Sequence, residues 1–305
     1  MPKAGHMVHM PSHIYVRTGD YDKAIASNQR SLAADTLFQK DWGDRPTPNL
    51  GTYGLSSRTH ARHAWDFIRY AAVLGGNYAR AMEAAKATAS GQSHQGMGAT
   101  ERAASIPWLI NKIFGKWDAV LAEPEPVHGS AYLHGLWHYT RGSAFVAQHD
   151  FAKAEEELKA VRAASADPAV KELYTAANPA PVILELSALA LEGELLSARG
   201  QHDDAVKAFE AAVKLQDTLK YIEPPDWGQS MRLYLGAALL KAGRARDAET
   251  VYREDLRDFA NNGWSLFGLA QSLRAQKKLA EARRVEEEFQ RAWKIADVTL
   301  RASVF

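Results

Sequence analysis

Residues 243–282 read GRARDAETVYREDLRDFANNGWSLFGLAQSLRAQKKLAEA, and the reading of this stretch decides the fold. It opens on Gly243-Arg244-Ala245 with Ala248 and closes on Lys277-Lys278-Leu279 with Ala282, so one phrase returns after 34 residues. The phrase is a small or turn residue, a bulkier residue two positions on, and Ala three beyond that. Each part has a physical use. Gly closes a helix in the left-handed conformation, the bulky residue packs across the turn, and Ala lets two helices approach closely. The phrase therefore marks the elbow of a helical hairpin.

Working outward, the phrase recurs upstream at Gly19-Asp20-Tyr21 with Ala24, Gly76-Asn77-Tyr78 with Ala81, and Gly115-Lys116-Trp117 with Val120. It continues at His149-Asp150-Phe151 with Ala154 and Gly200-Gln201-His202 with Ala205, giving seven elbows in all. Trp117 to Phe151 is again 34 residues, while other gaps are longer and imply insertions. Ala205, Phe209, Ala212 and Val213 return at helical spacing, and Gly142, Gly193 and Gly236 each stand seven residues before an elbow, where two helices of one hairpin touch. No β-strand alternation is sustained. The expected architecture is all-α, a right-handed α-solenoid of about seven degenerate hairpins. It is read as one continuous domain over residues 1–305, with a first hairpin at 1–39, a long loop at 40–57 and the remaining hairpins at 58–305.

Over most of its length the chain resembles the tetratricopeptide repeat family. The closer resemblance is to a group of longer bacterial repeat proteins, through GHMVHMPSHIYVRTGDY (residues 5–21) and EPPDWGQSMRLYLGAALLKAGRARDAETVYREDLRDFANNGWSLFGLAQSL (residues 223–273). The resemblance implies the fold and names no activity. Members of that group are longer at the N-terminus, so an upstream hairpin is expected to precede residues 1–5.

Composition narrows the function. Lys and Arg total 37 against 36 Asp and Glu, so there is no global field to attract a nucleic-acid backbone or an anionic membrane. The chain has no cysteine, which closes disulfide, thiolate-metal and thiol-nucleophile chemistry. Glu185, Glu192 and Glu194 interrupt the most apolar stretch, so no membrane span is expected. The start MPKAGHMVHMPSH lacks the form of a signal peptide, which points to the cytoplasm. GxSxG, GxxxxGK, GxGxxG and HExxH are all missing.

Histidines are the residues most suggestive of chemistry. His6, His9 and His13 are spaced by three and four, His60 and His63 by three, and His134 and His138 by four; on a helix these spacings put imidazoles on one face, able to share a metal ion. His6, His9, His13, His60, His63 and His138 are accordingly the candidate ligands, and a divalent metal ion is the one cofactor the sequence suggests. Asp66 and Glu185 are carboxylates that would complete such a site, neither at a diagnostic spacing. Capping and seam-filling by satisfied histidines is the plainer explanation of the same residues.

A second candidate set is aromatic: Trp65, Trp137, Tyr139, Trp227 and Trp264, with Arg62 adding a basic edge suited to a carboxylate-bearing ligand. The loop from Lys40 to Ser57, with four glycines and prolines between Gly43 and Gly51, is a candidate lid. Two functions follow. One is a scaffold binding a peptide or protein on its concave face. The other is a metal-dependent enzyme or metal-binding protein built on the histidines. A monomer and a homodimer through an end repeat both agree with the sequence.

Overall fold

Seven residues with positive φ punctuate the chain at the seven expected elbows: Gly19 (77°), Gly76 (72°), Gly115 (63°), His149 (59°), Gly200 (78°), Gly243 (74°) and Lys277 (62°). After each, the next backbone N–H reaches back five residues to a carbonyl. Asn77 N donates to Ala72 O at 2.8 Å, Arg244 N to Leu239 O at 2.8 Å, and Lys278 N to Leu273 O at 2.9 Å. This is the left-handed helix terminus in which orphan carbonyls of the last turn are satisfied by the chain leaving it. The computed structural model describes residues 4–42, 57–90 and 98–305.

The hairpins built on these elbows are α2 (Pro11–Thr18) with α3 (Tyr21–Trp42), α4 (Ser57–Leu74) with α5 (Tyr78–Ala89), and α6 (Gly98–Ile113) with α7 (Trp117–Ala122). They continue as α8 (Ala131–Ala147) with α9 (Phe151–Ala166), α10 (Ala180–Ala198) with α11 (His202–Gln216), α12 (Met231–Lys241) with α13 (Ala245–Asp258), and α14 (Gly263–Ala275) with α15 (Leu279–Ala292). A one-turn helix, α1 (Gly5–His9), leads into the first hairpin. The chain is an α-solenoid of helical hairpins. Among the described residues the sole β feature is an isolated bridge between Tyr174 and Pro179. No helix there is long and apolar enough to cross a membrane. Most of the loop expected to act as a lid, residues 43–56, lies outside the described residues, as do residues 91–97.

The small residues do what the elbows require. Ala24, Ala81, Val120, Ala154, Ala205, Ala248 and Ala282, the final members of the seven phrases, are all buried. Gly236 and Gly268 both make room for one ring, since a Cβ on either would stand 2.4 Å or 2.2 Å from Tyr252 Cζ. The Tyr252 hydroxyl bonds Ser303 Oγ at 2.7 Å, and Ser303 Oγ donates to Leu233 O, so the C-terminal tail is stitched under α12.

The last hairpin returns to the first two. Trp264 Nε1 donates to Val73 O at 2.8 Å, and Tyr21 Oη donates to Ala260 O at 2.7 Å. Asp297 accepts the free N–H groups of Tyr78 and Ala79 at the start of α5, a cap supplied 219 residues downstream. Inner helices such as α8 and α10 are buried around most of their circumference. Two adjoining spaces are lined in part by residues 216–232.

Candidate metal centre

The histidine centre grows out of the junction between α1, α2 and α4. Pro11 occupies the first turn of α2, where its missing N–H costs nothing, and Met10 keeps helical dihedrals, so the chain bends without leaving its helical course. His9 and His13 thereby stay one turn apart. α3 packs alongside and presents Asn28, Ser31 and Asp35; α4 contributes His60, His63 and Phe67.

One ligand nitrogen from each of His9, His13 and His63 can be chosen so that all three lie within 4.8 Å of one another. The three rings surround Phe67, with centroid distances of 4.7 Å, 4.6 Å and 5.0 Å. His60 approaches His9 at 5.0 Å and His6 approaches His60 at 5.1 Å, so five imidazoles meet in one place.

Their hydrogen bonds fix their tautomers. Asn28 Nδ2 donates to Ala24 O at 2.8 Å, so its oxygen faces the imidazole and must accept from His9 Nδ1, 2.6 Å away. His13 Nδ1 donates to the Glu223 carboxylate, which also accepts from Tyr221 Oη. With hydrogen on both Nδ1 atoms, the two Nε2 atoms face each other at 2.9 Å, a contact that is favourable only with a cation, metal ion or proton, between them. His60 repeats the arrangement: its Nδ1 lies 3.2 Å from Asp35 Oδ2 and its buried Nε2 has no partner among the described residues. An oxygen acceptor on one ring nitrogen and an open second nitrogen is how metal-bound histidines are held.

Burial reinforces this state. It pulls the His9 imidazole down to about 3, against the raising effect of the Asn28 bond, with His63, His13 and His60 adding repulsion. It pulls His63 down to about 4, against the pull of Asp66, and lowers His6 as well. Neutral imidazole is the metal-binding form.

The other candidates lie elsewhere. His138 stands on α8, bonded to Glu157 of α9 beside the Trp137 ring, and its partners are none of the five imidazoles. Asp66 is drawn away by Arg69 and Arg102, at 2.6 Å and 3.3 Å, and those guanidinium groups hold its carboxyl below the usual range despite burial. Trp264 is fully buried, and Trp137 donates its indole N–H to Glu123 O; both are core. Trp65 is half-buried and Arg62 exposed, on α4. Tyr139 and Trp227 do adjoin, at 5.7 Å, against an inner cavity. Asn28, Glu223 and Asp35, which orient the imidazoles, carry no signal in the sequence, since each is a common polar residue far from the histidine it serves.

A family model for the tetratricopeptide repeat matches residues 190–260 and 233–294. Over residues 190–294 the chain carries tetratricopeptide repeats. The matched repeats contain the elbows at Gly200, Gly243 and Lys277, and the same backbone terminus recurs at the four upstream elbows. Among solved structures the array is similar to a tetratricopeptide repeat protein from Parabacteroides merdae ATCC 43184, 12% identical, over 96% of this chain and 98% of that one, with a TM-score of 0.41. No curated protein matches the chain.

Proposed function

We propose that this repeat protein binds a divalent transition-metal ion through His9, His13 and His63. The observation that carries the reading is the approach of the His9 and His13 Nε2 atoms to 2.9 Å, with the third imidazole beside them. In a tetrahedral site with bonds of about 2.0–2.1 Å, ligand nitrogens stand about 3.3 Å apart, so small rotations of these rings would seat an ion. Imidazole ligands suit zinc, copper, iron and nickel, and three of them leave a position for water or substrate. When bound, the ion would supply Lewis acidity there. Asn28 and Glu223 would fix the rings that face it, and Phe67 would exclude water from their far side. Repeats of this family mediate contacts between proteins, so the centre adds chemistry to a scaffold whose general role is association.

The test is elemental analysis of protein purified without chelator, beside His63→Ala and a His9→Ala/His13→Ala double variant checked for helicity by circular dichroism. About one equivalent of metal, lost in both variants, is the expected result. No retained metal after loading with zinc, copper, iron or manganese would overturn the reading, and would make a proton the cation shared by His9 and His13.

A further inference from the structure

Among the described residues seven buried side-chain polar atoms have no partner, and while His60 Nε2, His202 Nδ1 and Asp255 Oδ1 lie elsewhere, the other four gather in one place. These are Arg102 Nε, Trp227 Nε1, Gln229 Nε2 and Arg232 Nε, and all belong to the walls of two adjoining spaces. The inner space is a cavity between α6, α8 and α12, with ≈ 40 Å³ open to the centres of water-sized molecules and apolar walls that include Ile110, Leu136 and Met231. The outer one is a cleft of ≈ 300 Å³ reaching from the Tyr221–Arg232 segment to Val16 and Tyr70. Pro225, Asp226 and Trp227 form the partition shared by both.

All four orphans are donors. Near misses do not satisfy them: Arg102 Nε lies 3.0 Å from Asp226 Oδ1 but out of line, and Arg232 Nε lies 3.9 Å from Glu254. The buried acceptors nearby are already engaged. Asp226 Oδ2 takes bonds from Thr175 Oγ1 and Asn178 Nδ2 at 2.8 Å each, Gln229 Oε1 accepts from Tyr234 Oη, and Glu223 is held by His13 and Tyr221. The cleft's Asp217 is paired with Arg232, and Asp258 is exposed to solvent. Arg17 and Lys220, exposed at the mouth, make no ion pair among the described residues. A buried N–H left without an acceptor costs about 1–3 kcal/mol, so a cluster of them calls for a molecule that brings acceptors and no donors.

We propose that the cavity and cleft on either side of Trp227 form a binding site for a small organic carboxylate, its oxygens accepting from Trp227, Gln229 and the neighbouring guanidinium groups. Its short apolar body lies against Ile110, Leu136 and Met231. Arg102 is already paired with Asp66 and Asp226, and Lys112 with Glu194, so the charge it brings inside is met by the open N–H donors and by Arg17 and Lys220 at the mouth. The site is independent of the imidazole centre, which it meets only at Glu223.

The test is calorimetric titration and thermal denaturation of chelator-treated protein with butyrate, with uncharged butyramide as the matched control. Butyrate is expected to bind and raise the Tm where butyramide does not. Trp227→Phe, which removes the N–H and keeps an aromatic wall, is expected to weaken butyrate about tenfold; Gln229→Met is the second variant should that one fail to fold. His63→Ala is expected to leave butyrate binding unchanged while abolishing metal, so the two sites fail separately. No binding of butyrate, equal binding of butyramide, or full affinity in both Trp227→Phe and Gln229→Met would overturn the proposal.

Discussion

His13 and Glu223 are 210 residues apart in the chain and hydrogen-bonded in the fold, imidazole Nδ1 to carboxylate. The bond places a residue of the Tyr221–Arg232 loop directly behind a candidate metal ligand. It fixes which nitrogen of His13 remains open.

Replacing Glu223 with Gln keeps the shape and removes the charge. Metal affinity is expected to fall by about 10–100-fold, the usual cost of losing a partner that orients a metal-bound histidine. Competition against a chromophoric chelator measures it. An unchanged affinity would show that His13 needs no help from the loop.

The depressed histidines also make the metal-free fold sensitive to acid. His9 and His63 titrate near 6.5 when unfolded, and at about 3 and about 4 in the fold. The unfolded chain therefore binds more protons below 6.5. Their contribution to stability is complete above that pH and is lost as pH falls from 6.5 toward 4 and then 3, by at most about 1.4 kcal/mol per unit for each histidine. Urea denaturation of chelated protein at pH 7.5 and pH 5 should show the loss, and His63→Gln should flatten it.

Tyr252 sits between Gly236 and Gly268 with no room for a further methyl group. Gly236→Ala is expected to cost about 1–3 kcal/mol by forcing the ring or the helices apart. The midpoint of chemical denaturation reads this directly, with helicity monitored to confirm folding.

Lys277 is an exposed residue at φ 62°, where five of the other elbows have glycine. The left-handed conformation costs an ordinary side chain about 1–2 kcal/mol, of which glycine's extra freedom in the unfolded chain takes back part. Lys277→Gly should therefore raise stability by about 0.5–1 kcal/mol. A lower melting temperature would mean that the lysine side chain has a role the elbow geometry does not reveal.

The hairpins were legible because their signals are local. Gly243, Lys277 and their Ala partners sit within five residues of one another, and a left-handed terminus followed by a close helix contact leaves the same imprint each time. The pairing of His9 with His13 was legible for the same reason, being one helical turn. The sequence by itself determined the helices, the elbows and the stock of imidazoles.

Tertiary structure decided which of them act together. It brought His63 to His9 and left His138 with Glu157 on another hairpin, although both belong to pairs of similar spacing. It gave Asp66, three residues after His63, to Arg69 and Arg102. It set Trp264 against Val73, fully buried in the core. The physical reason is range. Helical periodicity specifies neighbours a turn away, whereas the contact of Glu223 with His13 depends on how seven hairpins stack and return, and no local pattern records that sum.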